Sequence, residues 1–580
     1  MATAKFDATG LRYPETTLCC APRPSVAVTE LGNWVKNLKR RLVNLVFLCC
    51  TVAALPAHAK FNVLLIIADD MGFTDIGSFG ADFETPNLDK LASEGLRLTN
   101  FHTSVSCSPT RSMVMTGTDN HIAGVGNMRE LITPNQVGEP GYEGHLNERV
   151  VTLAEVFREG GYNTYMAGKW HLGLEPDQVP YARGFDRSFT LLNGGASHWD
   201  DMTGLQIRGQ PIGEYYLDDR KLEELPADFY SSRSYADFLI DAIREGRESG
   251  QPFFAYFSPT VAHDPIHVPE PWLSKYRGMY DQGYEVLKAD RIDRAKQLGV
   301  VSNTAPAPGL HPKTRRWDSL SPGDRAIEAR IMEAYAGMID NLDYHIGRIF
   351  SFLKDIGQYD NTIIIFTSDN GPNPLTSDQY PGNMGTEWIA AFDNSLENIG
   401  HKGSFVGLGL GWAQASAGPL SYFKLTSGEG GVRTPMIISG PGIVHGKINS
   451  AFSYVTDIMP TLLEAVGLEY PETFDGRKIK PLWGRSLFPL VTGRAVTAYG
   501  KDEVIGAEMV GNRWLQKGDF KAVLVSDRGF RFGPGEWRLY NTAEDPGETN
   551  DLSESMPELL AELTVAWEQY ASEVGVVPPE

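Results

Sequence analysis

Two apolar runs, each ending in metal-capable side chains, constrain this chain more than any other feature. Phe61 to Ala68 reads FNVLLIIA and runs into Asp69-Asp70-Met71-Gly72. Thr362 to Ser368 reads TIIIFTS and runs into Asp369-Asn370-Gly371. Continuous apolar runs of this length predict strands buried on both faces, as in a parallel sheet. In open α/β sheets ligands bind beyond the carboxyl ends of the strands, so these side chains fall where a site is expected. One Asp after a strand is usually a turn residue or a cap. Two strands that both end in adjacent oxygens point instead to a hard cation such as Ca²⁺ or Mg²⁺ held by Asp69, Asp70, Asp369 and Asn370. Three carboxylates so close together would repel without one.

The segments between repeat an alternation of strand and helix. Pro86 to Ala92 opens a helix that stops at Gly95, and Leu96 to Phe101 reads as a strand. Leu153 to Arg158 is a helix, Tyr162 to Ala167 a strand, and Phe253 to Phe257 another strand. Residues 325–354 carry Ile331, Tyr335, Met338, Ile339, Leu342 and Ile346 at helical spacing. Such alternation predicts an α/β fold, a large and mostly parallel sheet sandwiched by helices, over residues 60–495. From about residue 496 the runs shorten (503–510, 514–516, 521–525, 537–540) and a helix follows from about Pro557 to Val574. This predicts a smaller C-terminal α+β subdomain, 496–580, built on a short antiparallel sheet. The Gly- and aromatic-rich stretch 371–420 reads as a loop, in which Trp388, Phe405 and Trp412 are candidate pocket walls.

Residues 1–59 read as an upstream extension and a signal peptide. Lys36, Lys39, Arg40 and Arg41 precede the mostly apolar stretch Leu42–Pro56, and Ala57-His58-Ala59 fits a cleavage site. The apolar stretch is too short to span a bilayer comfortably, so the expectation is export to the periplasm or medium without a membrane span. Cys19, Cys20, Cys49 and Cys50 lie in this segment, which leaves Cys107 as the one cysteine of the remaining chain. It therefore has no partner for an internal disulfide. The net charge of −21 excludes nucleic acid as a natural partner, and an anionic substrate would need local cations to overcome it.

Cys107 stands in Ser106-Cys107-Ser108-Pro109-Thr110-Arg111. Pro109 suits a first helical residue with Ser108 as its N-cap, which puts Cys107 at a helix N-terminus, where a thiol pKa is lowered. Other strand ends supply Lys169 and His171 in GKWHLG, His263, and Lys424 in YFK. Arg111, Lys169 and Lys424 bring positive charge for a tetrahedral anion, and the two histidines bring acid and base near neutral pH. Together these describe metal-assisted transfer at an oxyanion ester.

Cys107-Ser108-Pro109-Thr110-Arg111 matches the C-x-P-x-R pattern of type I sulfatases. The chain also resembles that family, in the alkaline phosphatase superfamily, at Asp69–Gly72, Gly168–Gly173, Ser368–Gly371, Gly430–Pro435, Trp537–Tyr540 and Asp545–Leu552. The likeness is strongest to bacterial arylsulfatases. It implies a sulfuric ester hydrolase acting on sulfate monoesters, most simply aryl sulfates. It implies that Cys107 is oxidised to formylglycine by a maturation enzyme, and that the hydrate attacks sulfur to give a covalent sulfated intermediate. By the same resemblance, Asp369 assists as base and His263 or Lys424 protonates the departing alcohol. His171 then takes the proton that releases sulfate, Arg111 and Lys169 steady residue 107, and Lys169, His263 and Lys424 bind substrate. One Ca²⁺ on Asp69, Asp70, Asp369 and Asn370 completes the set. The alternatives are a formylglycine-dependent phosphodiesterase or phosphonate monoester hydrolase, and a non-catalytic exported protein that binds sulfated glycans.

Overall fold

A computed structural model describes residues 60–205, 211–379 and 386–580; the segment read as a leader lies outside them. The first apolar run forms β1 (Asn62–Ala68) and the second β8 (Thr362–Ser368), paired in parallel with every residue buried. Around them a sheet of eleven strands assembles from β2 (Leu96–His102), β3 (Asn163–Lys169), β4 (Arg187–Leu191), β5 (Tyr215–Leu217), β6 (Arg220–Leu222), β7 (Phe253–Ser258), β9 (Arg433–Ser439), β10 (Lys447–Asn449) and β11 (Ser453–Tyr454). Its order is β10-β2-β9-β8-β1-β7-β3-β4-β5-β6, with β11 also on β2. Strands β8, β1, β7, β3 and β4 are mutually parallel, whereas β9 runs against both β8 and β2. Two reversals put β2 back in line with β1, so its carboxyl end meets the same sheet edge.

The period of two along β1 divides its side chains between two cores. Leu64, Ile66 and Ala68 face a layer that contains the helices Ser231–Gly246 and Pro322–Asp355. Val63, Leu65 and Ile67 face Met113 and Val114 of the helix Cys107–Thr116 and Leu462 of the helix Ile458–Val466. A strand with apolar layers on both sides has no polar face to offer, which is why its sequence does not alternate. The helix Pro322–Asp355 is the longest described; Ser321 caps it by accepting from the Asp324 amide at 3.1 Å, and Pro322 occupies its first turn.

Beyond a two-stranded pair, β12 (Thr473–Phe474) and β13 (Arg477–Lys478), the chain forms an antiparallel sheet of β14 (Val504–Met509), β15 (Asn512–Lys517), β16 (Phe520–Leu524) and β17 (Trp537–Asn541), in that order. One face of this sheet packs Leu515, Ala522 and Leu539 against Leu563, Trp567 and Tyr570 of the helix Pro557–Val574. The other face sends Trp514, Val523 and Tyr540 into the core that also holds Val63 of β1. The small sheet thus leans on the large domain through apolar burial. No helix of the described residues is long and apolar enough to cross a membrane.

Candidate functional site

All the predicted site residues converge on one edge of the large sheet. Asp69-Asp70 follow β1, Asp369-Asn370 follow β8, Lys169 ends β3, and His263 lies five residues past β7. Cys107 follows β2, and Lys424 precedes β9, which runs in the opposite direction and so starts where the others end. The helix carrying Cys107 begins at Cys107 itself with Ser106 as N-cap. This corrects the expectation of a Ser108 cap. Pro109 sits two residues further in, still among the first amides that lack an intrahelical acceptor, so its missing N–H costs nothing there.

Four non-glycine residues at this edge hold left-handed backbone: Asp70 (φ 64°), His171 (φ 58°), Tyr422 (φ 64°) and Leu425 (φ 66°). Such conformations cost about 1–3 kcal/mol each and persist where surrounding structure over-determines them. The loop bearing Lys424 is held at both ends, its amide donating to Pro372 O at 3.1 Å and that of Leu425 to Val105 O at 2.8 Å. Gly371 lies against Gly430 so closely that a Cβ there would fall 1.8 Å from the Gly430 carbonyl oxygen, which explains glycine at that step of the Asp369-Asn370-Gly371 turn.

Charges interlock beneath this edge. Lys169 Nζ donates to Asp69 Oδ2 at 2.8 Å, and Lys424 Nζ lies 2.8 Å from Asp70 Oδ2 and 3.2 Å from Cys107 Sγ. Arg111 donates from Nε and Nη2 to Asp369 Oδ2 at 2.9 and 2.7 Å, and from Nη1 to Lys169 O at 3.1 Å and to Ser258 Oγ. Cys107 Sγ is 3.5 Å from Asp69 Oδ1 and 3.7 Å from Asp70 Oδ1. His263 donates from Nδ1 to the Asp264 carbonyl at 2.7 Å, leaving Nε2 3.5 Å from Asp70 Oδ2. All these groups are buried.

Burial alone would push Asp69 up, but Lys169 and His263 overcome it and bring the carboxyl down to about 2. Asp70 is likewise lowered against its burial by Lys424. Lys424 is raised well above its ordinary value: burial opposes its charge, and Asp70 more than restores it. Cys107 moves the other way from the expectation for a helix N-terminus. Burial, followed by the Asp369 charge, pushes its thiol well above the usual range, and Lys169 and Lys424 only partly offset this. As a thiol, Cys107 is a poor nucleophile here.

Donor chemistry supports a hard cation. Ligand atoms of Asp69, Asp70, Cys107 and His263 lie within 4.8 Å of one another. Asn370 donates from Nδ2 to Asp70 Oδ1 at 2.6 Å, while its Oδ1 is buried without a hydrogen-bond partner. An orphaned amide oxygen beside ionised carboxylates fits a metal that it would help to hold. Asp369 is engaged on both oxygens, Oδ2 by Arg111 and Oδ1 by the Asp70 amide at 3.1 Å.

Cys107, His171, His263 and Lys424 open into a narrow cavity of about 40 Å³, otherwise walled largely by Met128, Leu131, Leu205, Leu375, Leu425 and Phe530. The predicted aromatic rings do not line this cavity themselves, but Phe405 and Trp388 pack in one cluster with its walls Leu205, Leu375 and Leu425. Trp412 is fully buried against Tyr284 and Trp317, and Trp388 packs on Phe392 and Phe405. Two site residues escaped the sequence reading. Ser258, the last residue of β7, follows the same strand-end rule and was open to detection. Glu130, whose Oε1 lies 2.7 Å from His171 Nε2, sits in a short helical turn with no motif around it.

The sequence profile of the Sulfatase family matches residues 61–468. The chain belongs to the sulfatase family. It is 42% identical over 535 residues to an uncharacterized sulfatase of Schizosaccharomyces pombe, covering 89% of this chain and 94% of that one. It is 41% identical over 437 residues to an arylsulfatase of Klebsiella aerogenes, covering 74% and 93%. Among solved structures, Ps i-CgsB in complex with a neocarrahexaose superposes with a TM-score of 0.62 at 22% identity, over 88% of this sulfatase and 93% of that chain, a likeness of fold.

Proposed function

We propose that this sulfatase is an arylsulfatase, hydrolysing sulfate monoesters of apolar, aryl alcohols at residue 107. The observation that carries the reading is the cavity over Cys107: Lys424, His171 and His263 at one end, apolar side chains on the walls. Its volume of about 40 Å³ would hold roughly three water molecules, room for one sulfo group. Lys424 and the two histidines suit the sulfo oxygens, with Lys169 adding its charge from behind on Asp69, and Met128, Leu131, Leu205 and Phe530 suit a ring without hydroxyl groups.

Formylglycine formed from Cys107 would supply an oxygen nucleophile in place of the sulfur, and one calcium ion on Asp69, Asp70, Asp369 and Asn370 would neutralise their charge. The remaining roles belong to the chain's own groups. Arg111 and Lys169 orient residue 107, and Asp369 accepts a proton from it. Lys424 Nζ or His263 Nε2 gives a proton to the departing oxygen, and His171 takes a proton at residue 107 in the second half of the reaction. An exported enzyme with this chemistry depends on a maturation enzyme in its host.

Mass analysis of the peptide containing residue 107, from active protein, tests the reading. Replacement of the thiol carbon's CH₂–SH by an aldehyde is expected, and an intact cysteine in fully active protein would overturn it. Parallel rates on an aryl sulfate and an aryl phosphodiester separate the nearest rival: a large preference for the diester would reassign the enzyme. A binding protein without catalysis would keep its thiol and show no turnover of either.

A further inference from the structure

The strongest feature outside the predicted set is the pair made by Glu130 and His171. Glu130 Oε1 lies 2.7 Å from His171 Nε2, with the two side chains 12% and 9% exposed. The other ring nitrogen, Nδ1, is buried and has no hydrogen-bond partner, and neither has Glu130 Oε2. A Cβ on Gly194 would stand 2.9 Å from His171 Cε1 and 3.1 Å from both His171 Nε2 and Glu130 Oε1. The backbone at 194 therefore makes a slot in which the pair sits. The pair is also a partition. It lines the cavity over Cys107, and it lines a second cavity of about 270 Å³ bounded by Arg129, Gly144, Leu174 and Asn193.

From this arrangement we infer that Glu130 is the positioning residue for His171. It holds the proton on Nε2, leaves Nδ1 bare as the base that serves residue 107, and hands protons on to water in the second cavity. The inference rests on the sulfatase reading above. The proton balance is simple: an O–H at residue 107 loses its proton to Nδ1, the imidazolium gives up the proton on Nε2, and water in the second cavity receives it through Glu130. The fixed hydrogen bond decides which ring nitrogen is available, and a neighbouring carboxylate raises the basicity of that nitrogen. Charges facing His171 are Glu130, Lys169 and Arg111; those facing Glu130 are His171 and Lys169. Burial lowers the imidazole, and Glu130 partly restores it. Burial acts oppositely on Glu130, yet His171 brings its carboxyl down to about 2, so it is ionised throughout the working range.

Glu130→Gln keeps the shape and removes the charge. Expected is a fall in kcat of about ten- to a hundredfold with KM unchanged, the size typical for partners that orient a functional histidine. The acid limb of the kcat profile moves to lower pH, because losing the carboxylate lowers the imidazole pKa. Glu130→Asp retains the charge and recovers part of the rate. Gly194→Ala, which removes no polar group, reproduces the loss by pushing the pair apart. Titration of the His171 imidazole by NMR in the Cys107→Ala protein, with and without Glu130→Gln, needs no turnover. A downward shift there is expected even if the substrate assignment fails. An unmoved His171 titration, or an unchanged kcat and acid limb in Glu130→Gln, would overturn the inference.

Discussion

At the scale of single residues, Arg111 shows how little slack this site has. It places two N–H groups on one oxygen of Asp369 while Nη1 reaches Lys169 O and Ser258, all without solvent. A lysine has no planar fork to make these contacts at once. Arg111→Met leaves the buried Asp369 carboxyl without its guanidinium partner, which costs about 3–5 kcal/mol. A lowered midpoint in urea, with the slope unchanged, checks it; an unaltered midpoint would mean the pair contributes nothing. Asn370→Ala tests the metal instead. Calcium titrated calorimetrically into the Cys107→Ala protein is expected to bind, and to bind weaker by ten- to a hundredfold or so once the orphaned Asn370 Oδ1 is gone. Equal affinity in both proteins would remove Asn370 from the ligand set.

At the scale of elements, a buried ionic cluster joins the small sheet to the helices below the site. His121 lies between Asp119, 2.9 Å away, and Glu508 of β14, 3.2 Å away, and Tyr570 of the final helix donates to Asp119 at 2.8 Å. Burial opposes the charge on His121, but the two carboxylates win and raise it to about 9. Because the folded value lies above the unfolded one, the stabilisation is complete below about pH 6.5 and is lost as pH rises through about 9. A shift of this size corresponds to roughly 3 kcal/mol. Melting curves of wild type and His121→Gln should therefore differ most near pH 6 and converge towards pH 10. A gap independent of pH would refute the assignment. The strands and helices themselves were readable because each run of β1 and β8 meets two apolar layers. The cap at Ser106 and the helix Leu410–Ala417 inside the predicted 371–420 loop were not, since local sequence permits neighbouring boundaries and packing selects one.

At the scale of the whole molecule, the formal charge of −21 sets a long-range field that repels a sulfate ester. Screening lengths fall from about 30 Å at 0.01 M salt to about 8 Å at 0.15 M, so kcat/KM for an aryl sulfate should rise over that range. A fall would mean that the site's own cations dominate steering. The small C-terminal sheet belongs to the same energetic unit. Lys521 of β16 is buried with Glu429 Oε1 at 2.8 Å and Glu548 Oε1 at 3.1 Å, and Glu429 also takes His102 of β2 at 3.0 Å. Truncation after residue 495 strips Lys521 from Glu429 and exposes the apolar face around Val63's core. The fragment 60–495 is expected to be insoluble on expression, and a monomeric fragment with a cooperative melt would show that the catalytic part folds alone.

What could be read along the chain was whatever local chemistry repeats or terminates: strands without polar alternation, carboxylates at their ends, a helix start near Cys107, and the order of motifs that resembles a family. Those signals arise from backbone periodicity and from side-chain types, both of which are properties of short segments. What folding alone decided lies between segments distant in the chain. Burial beside Asp369 turned Cys107 from an expected low-pKa thiol into one held protonated. The aromatic rings of the 371–420 stretch went into packing, and the walls over residue 107 came from Met128, Leu205, Leu375 and Phe530 instead. Glu130 gained a role only because a turn 41 residues before His171 is packed beside it. No periodicity encodes such a meeting; the charge and volume of the space left between layers do.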